Sequence, residues 1–446
     1  MSTVTFYYGG RQPTTVTVTN DLIQWTTQRT TSGQPGQWTV TLVDRLVNGR
    51  SWAETIPPGA YVEIRAARTP QAGTLPIRMR GFVTGAQYTW SIGTTGGPTR
   101  SVQISGEDYT WLYYSMQIQY LWQGLQRMAL KEAALTISGV GLHANWQVPT
   151  TLMTPREFID SINQHVLLSP THGLLIGYRH YMSDAAPDPQ WAVTVDNQSL
   201  FSLVNTTIQS FQGPLWSLMS YYATPGLTEL FLFDTDAGPQ GTFRVAPFYN
   251  VDAPDTLADL AVNPFLPAVT LNPADVATLQ TGYSDQEVFN FFLVEPDTTG
   301  SLSLLGLAAY LNPAPLGNPR EDVISQAQYG LRVLEIQTPL LSLLSVGGVK
   351  KDAQLLRTQA SAMATYLYQT QHANQTLASG TITVHGDPAW MPGRYVEIPA
   401  VGRYYLQGVQ ETFQAIGAPS PSWTATLSVT RGQVTSLDVV PTEGGS

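Results

Sequence analysis

Three histidines, His165, His172 and His180, fall within 16 residues and form the densest run of metal-ligating side chains in the sequence. Imidazoles joined by a carboxylate could hold zinc and activate a water. No carboxylate pair near these three gives a sensible ligand spacing, so surface or capping roles suit them better. His143, His372 and His385 are scattered. Asp234-Thr-Asp236-Ala-Gly238 resembles the start of a calcium loop, but the later acidic ligands are missing and a hairpin turn explains it better. HExxH, GxSxG, P-loop and GxGxxG patterns are absent. The lack of cysteine excludes thiolate metal sites, disulfides and cysteine nucleophiles together. None of the 32 acidic residues is marked out as half of a glycosidase pair. The expectation is a chain with no catalytic residue, no metal site and no cofactor.

The elements that would position any site are those of a multi-domain chain, because 446 residues exceed one ordinary core. Apolar residues reach 43%, enough to bury sizeable cores, whereas charged residues are only 12%, about half the usual share of ~25%. A surface of Thr, Gln, Ser, Asn and Tyr fits a protein that buries its exterior in an assembly. The net charge of −10 argues against electrostatic capture of nucleic acid or anionic lipid. Met1-Ser-Thr-Val-Thr-Phe6 lacks the blocks of a signal peptide, and the apolar stretches at 302–311 and 340–349 fall short of the ~20 residues of a membrane helix. A soluble chain without membrane insertion is expected.

The text from Val4 to Tyr109 reads as strands, with alternation in Thr15–Thr19, Trp38–Val43, Tyr61–Arg65, Arg78–Tyr88 and Ser101–Ser105. Trp111–Ala134 is apolar, aromatic and poor in breakers, and predicts a helix. Thr154-Pro-Arg-Glu157 predicts a helix start, Leu215–Tyr222 a helix, and Glu229–Phe233 with Gly241–Pro247 a hairpin. Strands are expected at Val288–Val294 and Leu331–Gln337. Lys350–Leu377 predicts the longest helix, with Leu356, Ala360, Met363, Leu367 and Ala373 near one face. Gly380–Arg431 returns to strands.

One stretch occurs twice. Pro58-Gly59-Ala-Tyr61-Val62-Glu63-Ile64 returns as Pro392-Gly393-Arg-Tyr395-Val396-Glu397-Ile398, six of seven positions being identical. Pro-Gly sets a turn that launches a strand. Along that strand Val62 and Ile64, or Val396 and Ile398, face one side, and Tyr61 and Glu63, or Tyr395 and Glu397, face the other. The likeness extends to flanking strands: Trp38–Leu42 with Thr381–Val384, Arg80–Thr84 with Gln407–Gln410, and Ser101–Ser105 with Thr426–Thr430. Shared strand order favours duplication of a small barrel over chance reuse of a good turn, and these twelve positions are a structural repeat rather than a chemical site.

Further landmarks are Val102-Gln-Ile-Ser-Gly-Glu-Asp108, Tyr283-Ser-Asp-Gln-Glu-Val-Phe-Asn290, Ser325–Leu331 (SQAQYGL) and the Gly380–Arg431 stretch. With the repeat, these make the chain similar to the baseplate hub proteins of tailed bacteriophages (the late control D-like family) across most of its length. The resemblance implies an α+β, β-dominated fold with two similar antiparallel barrels and an inserted α+β domain. It places a first barrel at 1–110, its completion by strands from 240–270 left open, and an inserted domain at 111–250. A linker at 251–273, a second barrel with its helix at 274–432 and a flexible tail at 433–446 follow. It further implies a homotrimer in the virion tail baseplate, made in the host cytoplasm, that joins a tail tube protein to a central spike protein. Tape measure and baseplate wedge proteins are further partners, and DNA passes through the lumen without specific binding. A carbohydrate-binding β module for host attachment and a cell-wall hydrolase are the competing readings, since eleven Trp and 21 Tyr also suit sugar stacking.

Overall fold

The strand-rich text at the two ends of the sequence forms one 13-stranded sheet in the computed structural model, so the first hundred residues and the last seventy share a framework. The residues described are 1–9, 14–46, 49–69, 73–92, 98–122, 132–139, 142–149, 159, 186–193, 210–220, 223–224, 226–245, 268–282, 284, 288–296, 319–338, 341, 349–371, 378–399, 401–415 and 421–433. The helix start at Thr154, the histidines His165, His172, His180 and His372, and the tail lie outside them.

From one end, the main path of the sheet runs Val276–Gly282, Ala378–His385, Ser422–Gln433, Gly402–Gln414, Leu22–Thr30, Gln37–Val43, Pro98–Glu107, Ile77–Ile92, Tyr61–Ala66, Ser2–Tyr8, Thr14–Val18. Tyr395–Ile398 pairs with Gly402–Gln414 and with Ala268–Thr270. Alternation does the sorting: in Gln37–Val43 the side chains of Trp38, Val40 and Leu42 are buried while Gln37 and Val43 are exposed. Two cores result. Val4, Phe6, Trp25, Val40, Val62, Ile64 and Ile104 fill the first, and Ile382, Val384, Val396, Ile398, Leu406 and Leu427 fill the second.

In the strands that both copies share, the pairings of the second core repeat those of the first, although Tyr61–Ala66 has an antiparallel outer neighbour and Tyr395–Ile398 a parallel one. Tyr61 pairs with Phe82 and Glu63 with Arg80, as Tyr395 pairs with Tyr405 and Glu397 with Arg403. A bulge falls between Val83 and Gly85 in one copy and between Leu406 and Gly408 in the other. Another falls between Leu22 and Gln24, matched by one between Val276 and Thr278. Trp38 lies across from Gly106, and in the equivalent pair Gly380 lies across from Val429. A Cβ on Gly106 would meet Phe82 O at 2.1 Å and the Trp38 ring at 2.2 Å, so the large residue of one copy requires its glycine partner.

This register corrects two sequence alignments. Gly408 is the counterpart of Gly85, not of Gly81, and Val102–Ser105 corresponds to 425–428 rather than to residues two places on. The bulge sets the match, because it fixes which side chains face the core on either side of it.

The middle section departs from the expected helix at Trp111–Ala134. Among the described residues of that stretch only Thr110–Ser115 is helical; Gln117–Trp122 is a strand between Glu132–Gly139 and Ser210–Pro214, and Leu142–Pro149 completes that four-stranded sheet. The polar-apolar start Gln117-Ile-Gln-Tyr120 has the period of a strand, which outweighs the lack of breakers. Leu215–Ser220 is helical, and Thr228–Thr235 with Gly238–Val245 forms the expected hairpin. The long helix spans Val349–Gln371; its buried Ala360, Met363 and Leu367 lie on one face, and Tyr368 meets Phe292 of the strand Phe291–Pro296 edge-on at 5.8 Å. The β-dominated α+β class holds.

Candidate functional interface between the two repeats

The two copies of the repeat meet edge to edge. Gly408–Gln414 of the second pairs antiparallel with 24–30 of the first, placing Phe413 opposite Trp25 and Glu411 opposite Thr27. Trp25 stacks on Phe413 at 5.8 Å and meets Trp423 at 6.3 Å, so the joint is apolar at one end.

Its other end is ionic and dry. Glu411 and Arg78 are both fully buried, and the Arg78 guanidinium donates to both Glu411 oxygens at 3.0 Å and to the carbonyls of Pro388 and Trp390 at 2.8 and 3.1 Å. Arg78 also lies over the Trp423 ring, 5.5 Å from its centroid. Arg29 stands 3.8 Å from Glu411 and 3.9 Å from Asp234, with no hydrogen bond from its terminal nitrogens. Burial, together with the neighbouring Arg78 charge, lowers its pKa. Burial raises the pKa of Asp234 despite the Arg29 and Arg80 charges beside it. Asp108 is pushed up to about 7 by burial, although it accepts from the Gly36 and Thr110 backbone N–H groups at 2.9 Å. In a buried charge network of this kind the cost of desolvating the ions offsets much of their attraction, whereas removing one partner is strongly destabilising.

The hairpin 228–245 straddles the joint. At its tip, Asp234 accepts from the Arg80 N–H at 2.9 Å and Asp236 from the Ile77 N–H at 3.0 Å, while the Arg80 guanidinium donates to the carbonyls of Thr235 and Asp236. Both carboxylates of the motif that resembled a calcium loop are thus occupied by backbone N–H groups, and the motif is a hairpin turn. At its base, Arg244 donates to Glu229 and to Gly393 O at 3.0 Å and to the Tyr405 hydroxyl at 2.8 Å, and Tyr405 donates to Glu229 at 2.9 Å. Burial raises the Tyr405 pKa, so this hydroxyl stays protonated as a donor. The tip therefore grips the first copy at Arg80 and the base grips the second at Tyr405, the counterpart of Phe82.

The repeated residues sit in matched backbone positions. Gly59 and Gly393 have φ of 80° and 81°, and both donate at 2.7 Å, to Val83 O and Leu406 O. Pro58 and Pro392 precede them in the same turn. Val62, Ile64, Val396 and Ile398 point into the two cores. The other face differs between copies. Tyr61 and Glu63 are buried, with Glu63 accepting from Tyr61 at 2.9 Å and from Arg65, whereas Glu397 is only half-buried and pairs with Arg403 at 3.2 Å. Tyr395 is half-buried against Tyr405. No sequence motif pointed to Arg29, Arg78, Arg80, Glu229, Arg244 or Glu411; their partners lie up to 384 residues away. Among the described residues no group of His, Asp or Glu is placed to hold a metal, and no helix is long and apolar enough to cross a membrane.

No family model and no curated protein matches the sequence. Solved structures do align with it. The tail protein from Neisseria meningitidis MC58 aligns with a TM-score of 0.50 at 11% identity, over 96% of each chain. The 43 kDa tail protein of prophage MuSo2 from Shewanella oneidensis aligns with a TM-score of 0.44 at 12% identity, over 97% of each. A chain of the lidded Francisella PdpA–VgrG complex gives 0.40 at 9% identity, and there the present sequence covers 53% of the longer chain.

Proposed function

We propose that this chain is the structural hub of a bacteriophage-type tail. Three copies form a ring of six barrels that joins a hexameric tail tube to a trimeric central spike and continues the channel through which DNA leaves. The observation that carries the reading is one chain holding two copies of a strand unit, matched down to their bulges and joined through their edges. Three such chains present six similar units to a sixfold partner and three identical chains to a threefold one, which is what an adapter between the two symmetries needs. The fold shared with the Neisseria tail protein supports a structural place in a tail. A net charge of −10 supports a lumen that DNA slides past without sticking.

The role is geometric and non-enzymatic. Light scattering on the purified chain tests it: three copies of 48.7 kDa give 146.1 kDa, and a ring with threefold symmetry should appear by electron microscopy. A strict monomer up to high protein concentration overturns the reading. Peptidoglycan zymograms are expected to stay uncleared.

A further inference from the structure

Each repeat brings two edges to a joint, and one chain uses only one of each. The strand 402–414 offers its edge to 22–30. The counterparts of these two strands are Ile77–Ile92 and Val276–Gly282. Among the described residues, Val276–Gly282 pairs on one side only, with Ala378–His385, and lies at the end of the sheet. Ile77–Ile92 pairs with Tyr61–Ala66 through 77–82 and with Pro98–Glu107 through 82–92, so among the described residues the second edge of 85–92 has no partner strand.

That second edge carries large apolar side chains in the open. Trp90 is 69% exposed and Tyr88 48%, whereas their counterparts Phe413 and Glu411 are buried in the internal joint. An exposed strand edge bearing aromatics is a template for pairing unless something covers it.

We propose that the edge of 87–91 in one copy pairs antiparallel with 278–282 of a second copy of this chain, repeating the internal joint in register. Transferring the observed pairs gives Trp90 opposite Leu279, Thr89 opposite Gln280, Tyr88 opposite Thr281 and Gln87 opposite Gly282. Trp90 takes the place of Phe413, and Leu279 that of Trp25. The joint between chains differs from the internal one in charge. Glu411 is replaced by Tyr88 and Arg78 by Val401, so the buried ion pair of the internal joint has uncharged counterparts between chains. Chains therefore associate through an apolar, backbone-paired edge that salt does not screen. The two halves of this contact are different strands of the chain, so it runs head to tail and closes a ring. The inference rests on the ring reading above and adds its contact.

The absence of cysteine makes the test direct. In the full chain, Thr89→Cys with Gln280→Cys should form intermolecular cross-links on oxidation or with a short bis-maleimide, reversed by reductant in the first case. Thr84→Cys with Gln280→Cys, five residues out of register, should not. Trp90→Glu should weaken association at least tenfold without moving the unfolding midpoint of the separate chain, because Trp90 is exposed there, and association should persist in high salt. An assembly of 146.1 kDa that does not cross-link at 89–280 overturns the contact and leaves the ring intact. A chain that stays monomeric and uncross-linked removes both.

Discussion

Gly59 and Gly393 hold the same left-handed backbone and donate to equivalent carbonyls, yet only Gly393 has a neighbour over its Cα. A Cβ there would meet the Phe231 ring at 2.6 Å and the Arg244 guanidinium at 2.8 Å, while nothing lies within 4 Å of one on Gly59. The Pro-Gly turn is thus conformational in both copies and a docking point in one.

Alanine substitution separates these roles. Gly59→Ala carries the strain of a positive φ, about 1–2 kcal/mol. Gly393→Ala carries that strain and displaces the hairpin, a further ~1–3 kcal/mol. Urea unfolding of the two variants should show the larger loss for Gly393→Ala, and equal losses would mean that the hairpin does not bear on the turn.

Glu411 is the anion shared by Arg78 and Arg29 at the internal joint. Its removal leaves the buried Arg78 without a counter-charge and Arg29 with Asp234 alone, so Glu411→Ala should cost about 3–5 kcal/mol. The loss should appear as a lower unfolding midpoint and as faster amide exchange in 24–30, the strand that Glu411 faces. A change below about 1 kcal/mol would show that Arg78 is held by its carbonyl and Trp423 contacts alone.

Tyr405→Phe removes the hydroxyl that links Arg244 to Glu229 while keeping the ring against Tyr395. The expected cost is about 1–3 kcal/mol, the range for a buried partner left unsatisfied. Hydrogen exchange should rise at the base of the hairpin, around 229 and 244, before it rises at the tip around 234–236, which Arg80 holds independently.

Asp108 gives the fold a pH dependence. Its carboxyl titrates at about 7 when folded, against ~3.9 unfolded, so the native state holds the extra proton between those values. Stability therefore falls as pH rises from about 4 to about 7, and the loss is complete above that window. Asp108→Asn should flatten the slope, measured as urea midpoints at several pH values; wild-type and variant curves that run parallel would refute the assignment. The buried Asp234 remains in the variant and contributes in the same direction.

The sequence by itself determined the strand text at both ends, the duplication and the turn that launches each equivalent strand. Alternation and Pro-Gly chemistry act over a few residues, so Tyr61–Ile64 and Tyr395–Ile398 could be matched by eye. It also marked the hairpin at 228–245 and the long helix. Within the helix expected at Trp111–Ala134 a strand forms at Gln117–Trp122, because the alternating period of Gln117–Tyr120 outweighs apolar content. The flanking strands were misaligned because a bulge adds a residue that identity alone does not reveal. Where the two copies meet is legible only in the folded sheet. Arg29, Arg78, Asp234 and Glu411 come from four distant strands, and nothing local distinguishes them from surface charges until the sheet brings them together and excludes water. The same holds for Trp90 and Leu279: as residues in strands they look like core, and only the closed internal joint shows which edges remain open. Local physics writes the strands, while burial and register, which depend on the whole sheet, decide which of them meet.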